Sequence, residues 1–312
     1  MSKSVLCITL NPAIDMTMTV DQLTLGEVNR ASRVQVDAAG KALNSAQVLS
    51  ELGLTCHATG FLGADNDAIF KKLFSQKTTR GDILHDNFIS VAGETRTNVK
   101  LVDDGTTTDV NGKGFIVGAS DIQALFDQVG TLAKTCDAVL VAGSLPSGFS
   151  LDDFQELLQI LTDVNDRVAV DVSGDALKIA INHPLWLIKP NEDELADAFG
   201  VQADTLDAQR TLFADLNTNI EHIVISMGAH GVNWLHRDQV LVAKPPVMQV
   251  QSTVGAGDTL VAGMIFGLLS DADPSAVLRQ AVALSAHAVS IVGFGVPNTD
   301  ELQSLIAQVQ IQ

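Results

Sequence analysis

In the last quarter of the chain, "STVGAGD" (Ser252–Asp258) runs straight into the apolar stretch "TLVAGMIFGLLS". Gly255 and Gly257 flank Ala256, so the backbone N–H groups of this turn are uncrowded by side chains. A helix starting there also points its positive dipole end at them, and the combination binds anions, phosphate above all. Asp258 falls in the first helical turn, where a carboxylate can cap the helix or act as a base beside the anion. Two other phosphate loops are excluded: Leu260 stands where G-x-G-x-x-G needs its third glycine, and no G-x-x-x-x-G-K-[ST] occurs. No histidine falls in H-E-x-x-H or another metal spacing, His287 lies on an alanine-rich helical face that packing explains, and no Ser-His-Asp arrangement is legible.

Such a turn needs a scaffold that delivers loops to one edge. Short runs rich in β-branched residues ("SVLCITL", "DAVLVAG", "RVAVDV", "LWLIKP", "EHIVIS") are apolar on successive positions, as strands buried on both faces of a parallel sheet must be. Between them, "KALNSAQVLSELG", "SLDDFQELLQILTDV" and "DAQRTLFADL" repeat apolar residues every three or four positions, the helical period. The alternation predicts a doubly wound α/β fold, whose ligands gather beyond the carboxyl ends of the strands. Two segments, about 13–37 and 88–117, instead alternate apolar with polar and are rich in Thr and Val. They read as antiparallel strands of a small, separate sheet, serving as a lid or a dimer contact. No internal repeat or linker divides residues 1–312, which read as one domain.

Composition narrows the partners. Of 312 residues, 37 are Asp or Glu and 19 are Lys or Arg, a formal net charge of -18. That field repels nucleic acid and anionic membranes, while a small anion can still be held by local cations and amides. Cys7, Cys56 and Cys136 are too few and too far apart for a disulfide framework or a zinc site, and imply reduced thiols. The amino terminus carries too short an apolar run for a signal peptide, and no stretch reaches membrane-spanning length uninterrupted, so a cytoplasmic location is expected.

Seven stretches, in order along the chain, resemble the ribokinase/PfkB family of carbohydrate kinases: "LNPAID", "AAGKALNSAQVLSELG", "GETRTNVKL", "VAGSLPSG", "IKPNEDEL", "ISMGAHGV" and "STVGAGD". The resemblance implies a ribokinase-like sheet flanked by helices with a small β lid, ATP and Mg2+ as cofactors, and a homodimer through the lid strands. Within the family, the motifs are most similar to those of members that phosphorylate fructose 1-phosphate at O6. Members acting on tagatose 6-phosphate or fructose 6-phosphate are the nearest alternatives, and a non-catalytic sugar-phosphate sensor is an alternative of another class.

Residue by residue, the resemblance makes Asp258 the base and the amides of Gly255, Ala256 and Gly257 the anion hole. Beside the helix N-terminus, Asp258 is expected to stay an ordinary ionised carboxylate. On the sugar side it implies Asp15 for hydroxyls, Gly40, Lys41 and Asn44 as a glycine-lysine-asparagine element, Arg96 and Lys100 as further cations, and Ser144 as a hydroxyl contact. On the nucleotide side it implies Lys189, Asn191, Ser226, Gly228, Gly231 and Thr253, with Glu194 organising Mg2+ through water; Ala283 leaves room for adenine. Each also has a plainer reading, such as a turn aspartate, a solvated lysine, or an acidic first helical turn in "NEDEL". Two departures stand out. Ala39 and Ala42 replace glycines of the family motif, and the Ala42 methyl is expected to crowd the sugar or shift Lys41. Ser252 replaces an aspartate found in ribokinase relatives, which weakens the case for a monovalent-cation site.

Overall fold

Apolar runs become strands in the expected order, and the strands between them complete the sheets. The structure, a computed structural model, describes residues 2–312 apart from 82, 104, 105, 237, 238 and 292. Along the chain come β1 (Ser4–Thr9), β2 (Ala13–Val20), β3 (Arg33–Ala39), α1 (Lys41–Glu51), β4 (Thr55–Gly63), α2 (Ala68–Arg80), β5 (Leu84–Asp86) and β6 (Ile89–Val91). Then follow β7 (Arg96–Asp103), β8 (Thr106–Asn111), α3 (Ala119–Leu132), β9 (Ala138–Ala142), α4 (Leu151–Thr162), β10 (Val168–Asp171), α5 (Gly174–Ala180), β11 (Leu187–Ile188) and α6 (Glu192–Phe199). The chain closes with α7 (Leu206–Leu216), β12 (His222–Ser226), β13 (Val232–His236), β14 (Gln239–Lys244), α8 (Ala256–Leu269), α9 (Pro274–Val289), α10 (Thr299–Gln308) and β15 (Gln310–Ile311).

Among the described residues, eleven strands form the main sheet in the order β15-β14-β13-β12-β11-β10-β9-β1-β4-β5, with β6 also on β4. From β12 to β5 every pairing is parallel; β13, β14 and β15 extend the edge antiparallel. The successive apolar residues of β1 show why such strands read as unbroken runs. Val5 and Cys7 join one core layer with α1, α8 and α9, while Leu6 and Ile8 join the other with α3, α4 and α5. Cys7, Cys56 and Cys136 are free and buried.

The second sheet holds β3-β2-β7-β8 and is separate, as the alternation predicts. Two details differ. Its central pair, β2 with β7, is parallel, with Asp15 opposite Asn98; only the flanking pairs are antiparallel. Face alternation is the same for either direction, so the sequence pattern could not choose between them. Residues 89–91, placed with the lid by that pattern, pair instead with β4 of the main sheet.

Candidate active site

The carboxyl edge of the parallel strands faces the lid across a cavity of about 890 Å³. Helix α8 opens on it. Gly255 is its N-cap at φ 82°, a left-handed conformation that glycine tolerates, and a Cβ there would lie 2.4 Å from the Phe294 ring. Thr259 is the first residue whose N–H returns to the turn, to the Gly255 carbonyl at 2.8 Å. The N–H groups of Ala256, Gly257 and Asp258 therefore have no acceptor within the helix.

Asp258 sits at the third helical position and is only 7% exposed. Its Oδ2 accepts from Asn44 Nδ2 at 2.7 Å, and its carbonyl accepts from Ser45 Oγ at 2.9 Å, so α1 fixes it from the far wall. Burial, with Asp171 adding negative charge, pushes its carboxyl up to about 6, against the opposing pull of Asn44, Lys41 and Lys189. The expectation of an ordinary low value is therefore corrected: desolvation outweighs the helix terminus.

Why can α8 be apolar all round? Gly263 and Gly267, one turn apart, let α9 press directly against it. A Cβ on Gly263 would come 2.6 Å from Ala281 Cα, and one on Gly267 would come 2.8 Å from Val277 Cγ1. The helix behind the turn is thus enclosed on both sides, and its first turn is held in place.

Cations converge on the same end. Lys189 is buried, with its Nζ 3.4 Å from Asp171 Oδ1 and 3.4 Å from the place a Cβ on Gly257 would take. Lys41 Nζ lies 3.4 Å from Asp171 Oδ1 and 3.6 Å from Glu194 Oε1; those carboxylates hold its ammonium above the ordinary lysine value. Asn191 and Glu194 form a capping box at the start of α6: Asn191 N–H donates to Glu194 Oε2 at 3.0 Å, and Glu194 N–H donates to Asn191 Oδ1 at 2.6 Å. The acidic-turn reading and the site reading therefore hold together, because the cap faces the cavity. Gly40, Ser226, Gly228, Gly231 and Thr253 also line it. A Cβ on Gly231 would fall 2.0 Å from the Ala243 carbonyl oxygen, which fixes glycine at that turn.

On the lid side, Asp15 is paired with Lys100 at 2.5 Å and accepts from Asn98 Nδ2 at 3.1 Å. Arg96 lines the cavity and donates to the carbonyls of Asn11 and Pro12 at 3.1 and 3.3 Å. Lys100 lines an adjoining cavity of about 400 Å³ that shares Asp15 and Thr253.

Three expectations land elsewhere. Ser144 is exposed, accepts from Asn11 Nδ2 at 3.2 Å, and is not part of the cavity wall. Ala42 is fully buried in the core and also absent from that wall, so its methyl does not crowd the cavity. Ala283 is likewise fully buried, and the cavity face of α9 is Val282, Ser285, Ala286 and Val289. Sequence reading missed Asp171 and Asn98. Asp171, in the run "RVAVDV", ends β10 at the carboxyl edge, and Asn98 shares a strand face with Arg96 and Lys100 in "TRTNVKL"; polar residues at those two places were the available signal.

Residues 3–301 match the model of the pfkB family of carbohydrate kinases. The 1-phosphofructokinase of Vibrio cholerae is 45% identical over 313 residues, covering 100% of this chain and 97% of its own length. That of Escherichia coli K12 is 38% identical over 314 residues, covering 100% and 99%. The fold is shared with a solved Thermotoga maritima protein (TM-score 0.87, 24% identity, 99% of both chains). It is shared too with E. coli phosphofructokinase-2, solved in complex with fructose-6-phosphate (TM-score 0.82, 22% identity, 98% and 99%). Because the match runs through every element that builds the cavity, from β1 to the start of α10, the chain belongs to the pfkB family of carbohydrate kinases.

Proposed function

We propose that the chain transfers the γ-phosphoryl group of ATP to O6 of fructose 1-phosphate, giving fructose 1,6-bisphosphate and ADP. The observation that carries this reading is the meeting, at one helix end, of a buried carboxylate, unpaired backbone amides and a buried lysine: Asp258, the Ala256–Asp258 N–H groups and Lys189. The named relatives support the choice of sugar, since both are 1-phosphofructokinases.

In this mechanism Asp258 accepts the O6 proton as O6 attacks the γ-phosphorus and the bond to the ADP oxygen breaks. Charge on the transferring group spreads over three oxygens and is met by the amides from Gly255 to Gly257, by Lys189 and by Lys41. Asn44 holds Asp258 in line. Asp15, Asn98 and Gly40 serve the sugar hydroxyls, while Arg96 and Lys100 supply positive charge for the phosphate already on the sugar. Lys100 then exchanges its partner Asp15 for that phosphate. Asn191, Ser226, Gly228, Gly231 and Thr253 serve ATP.

Magnesium fits the residues present. Glu194 and the buried Asp171 Oδ2, which has no hydrogen-bond partner, offer an all-oxygen donor set suited to a hard cation, with Glu194 acting through water. When bound, the ion would neutralise phosphate charge.

The chain is taken to act as one domain under its lid and to work in the cytoplasm. Three buried free thiols accord with that compartment, and among the described residues no helix is long and apolar enough to cross a membrane. A homodimer through the lid is supported by the face of the small sheet turned away from the cavities. There Val34, Val36 and Val110 are exposed beside half-buried Met16, Met18, Val99 and Leu101.

The deciding experiment is a coupled kinase assay with ATP and each of fructose 1-phosphate, fructose 6-phosphate and tagatose 6-phosphate. The expected kcat/KM for fructose 1-phosphate exceeds the others by at least about a hundredfold. Preference for either 6-phosphate overturns the substrate, and turnover of none overturns the activity.

A further inference from the structure

At the opposite end of β12 from the cavity, the chain gathers a second set of chemistry-bearing side chains. His222 opens β12 and His236 closes β13, and the two are direct cross-strand partners. Their rings lie 4.4 Å apart between centroids. Glu221 immediately precedes His222, and its Oε1 is 3.7 Å from His236 Nε2. One ligand atom from each of the three residues lies within 4.8 Å of the other two. The His236 Nε2 atom is buried and has no hydrogen-bond partner. An imidazole nitrogen so placed is an unspent donor in a polar pocket.

We infer that Glu221, His222 and His236 bind one divalent transition-metal ion of the zinc or nickel type, at a site separate from the kinase cavity. The donor set decides the class. Two imidazole nitrogens and one carboxylate oxygen suit zinc, nickel, cobalt or copper, whereas magnesium and calcium demand oxygen. A tetrahedral ion with bonds of about 2.0–2.1 Å holds its donors roughly 3.3 Å apart, so the present spacing needs only small side-chain rotations. Three protein donors leave a fourth position for water. His222 is buried, while the side chains of His236 and Glu221 are 24% and 39% exposed, which provides an entry path. Ser226, at the other end of β12, lines the kinase cavity; four residues of strand put it on the order of 13 Å away. An ion here ties β12 to β13 without touching substrate.

The protein contains its own reporter. Its only two tryptophans, Trp186 and Trp234, both pack on His222, with ring centroids 5.9 and 5.5 Å away. The full chain, freed of metal with a chelator, is titrated with Ni2+ while tryptophan emission is read. Saturable quenching at one ion per chain is expected, with displacement of Ni2+ by non-quenching Zn2+. Zn2+ should also raise the melting temperature. His236→Gln and Glu221→Gln should each weaken binding at least about tenfold, with kinase turnover unchanged. Should His236→Gln fail to fold, the exposed Glu221→Gln carries the comparison. Absence of saturable quenching, or equal affinity in wild type and the variants, overturns the site and leaves an aromatic packing cluster.

Discussion

In the proposed reaction Asp258 has two opposed tasks: to accept a proton, and to stay shielded from water in a place where its charge is costly. Its carboxyl at about 6 records that conflict. A carboxyl raised on folding binds its proton more tightly in the native state, so stability falls as pH rises from about 4 to about 6 and the cost is fully present above that range. Asp258→Asn should therefore raise stability at pH 7 by about 1–3 kcal/mol in urea unfolding. The same change should lower kcat by at least about a hundredfold while ATP binding survives. Since the proton acceptor must be ionised, kcat/KM in the native enzyme should fall about one decade per pH unit below roughly 6. The neighbours set the direction in which that limb moves. Lys41 lowers the Asp258 value and Asp171 raises it, so Lys41→Met should move the acid limb to higher pH and Asp171→Asn to lower pH. A limb unmoved by either would show that another group titrates there.

Helix α8 shows how an element converts packing into position. Its first turn lines the cavity, and Gly263 and Gly267, further along, admit α9 at close range. Gly267→Val should force the helices apart, costing about 1–3 kcal/mol or more in a urea titration, and should lower kcat because the Gly255 turn moves with the helix. Much of this scale was legible in the sequence: parallel strands as unbroken apolar runs, helices by their period, the lid by alternation. The α8 turn was legible because glycines and one aspartate are confined to few roles. Neighbour relations were not. Period and face do not say which strand lies beside which, so the parallel β2–β7 pair and the transfer of Ile89–Val91 to the main sheet emerge only in three dimensions. Asp171 was overlooked for the same reason: at the end of a buried strand, its meaning lies in two lysines from distant segments.

At the scale of the whole molecule, a net charge of -18 surrounds a site whose cations are Lys41, Lys189, Arg96 and Lys100. In this state three of those four lysine and arginine charges sit in ion pairs with Asp171, Glu194 or Asp15, so an arriving phosphate displaces partners that are already held. The valine face of the lid sets the expected assembly. Val36→Glu together with Val110→Glu should turn a dimer into a monomer in light scattering, and a wild-type monomer would remove the interface. The parallel pairing at the centre of the lid has a mechanical consequence. Strand β2 leaves the sheet just after β1, and β7 leaves it just after β6, so two ribs depart side by side from the same edge, stitched by eight paired residues. Two ribs rising together from one rim share a single fold line, at Leu10–Pro12 and Gly93–Thr95. If the small sheet closes over the cavity in the proposed reaction, that geometry predicts a door's swing about this line rather than a tether's free twist.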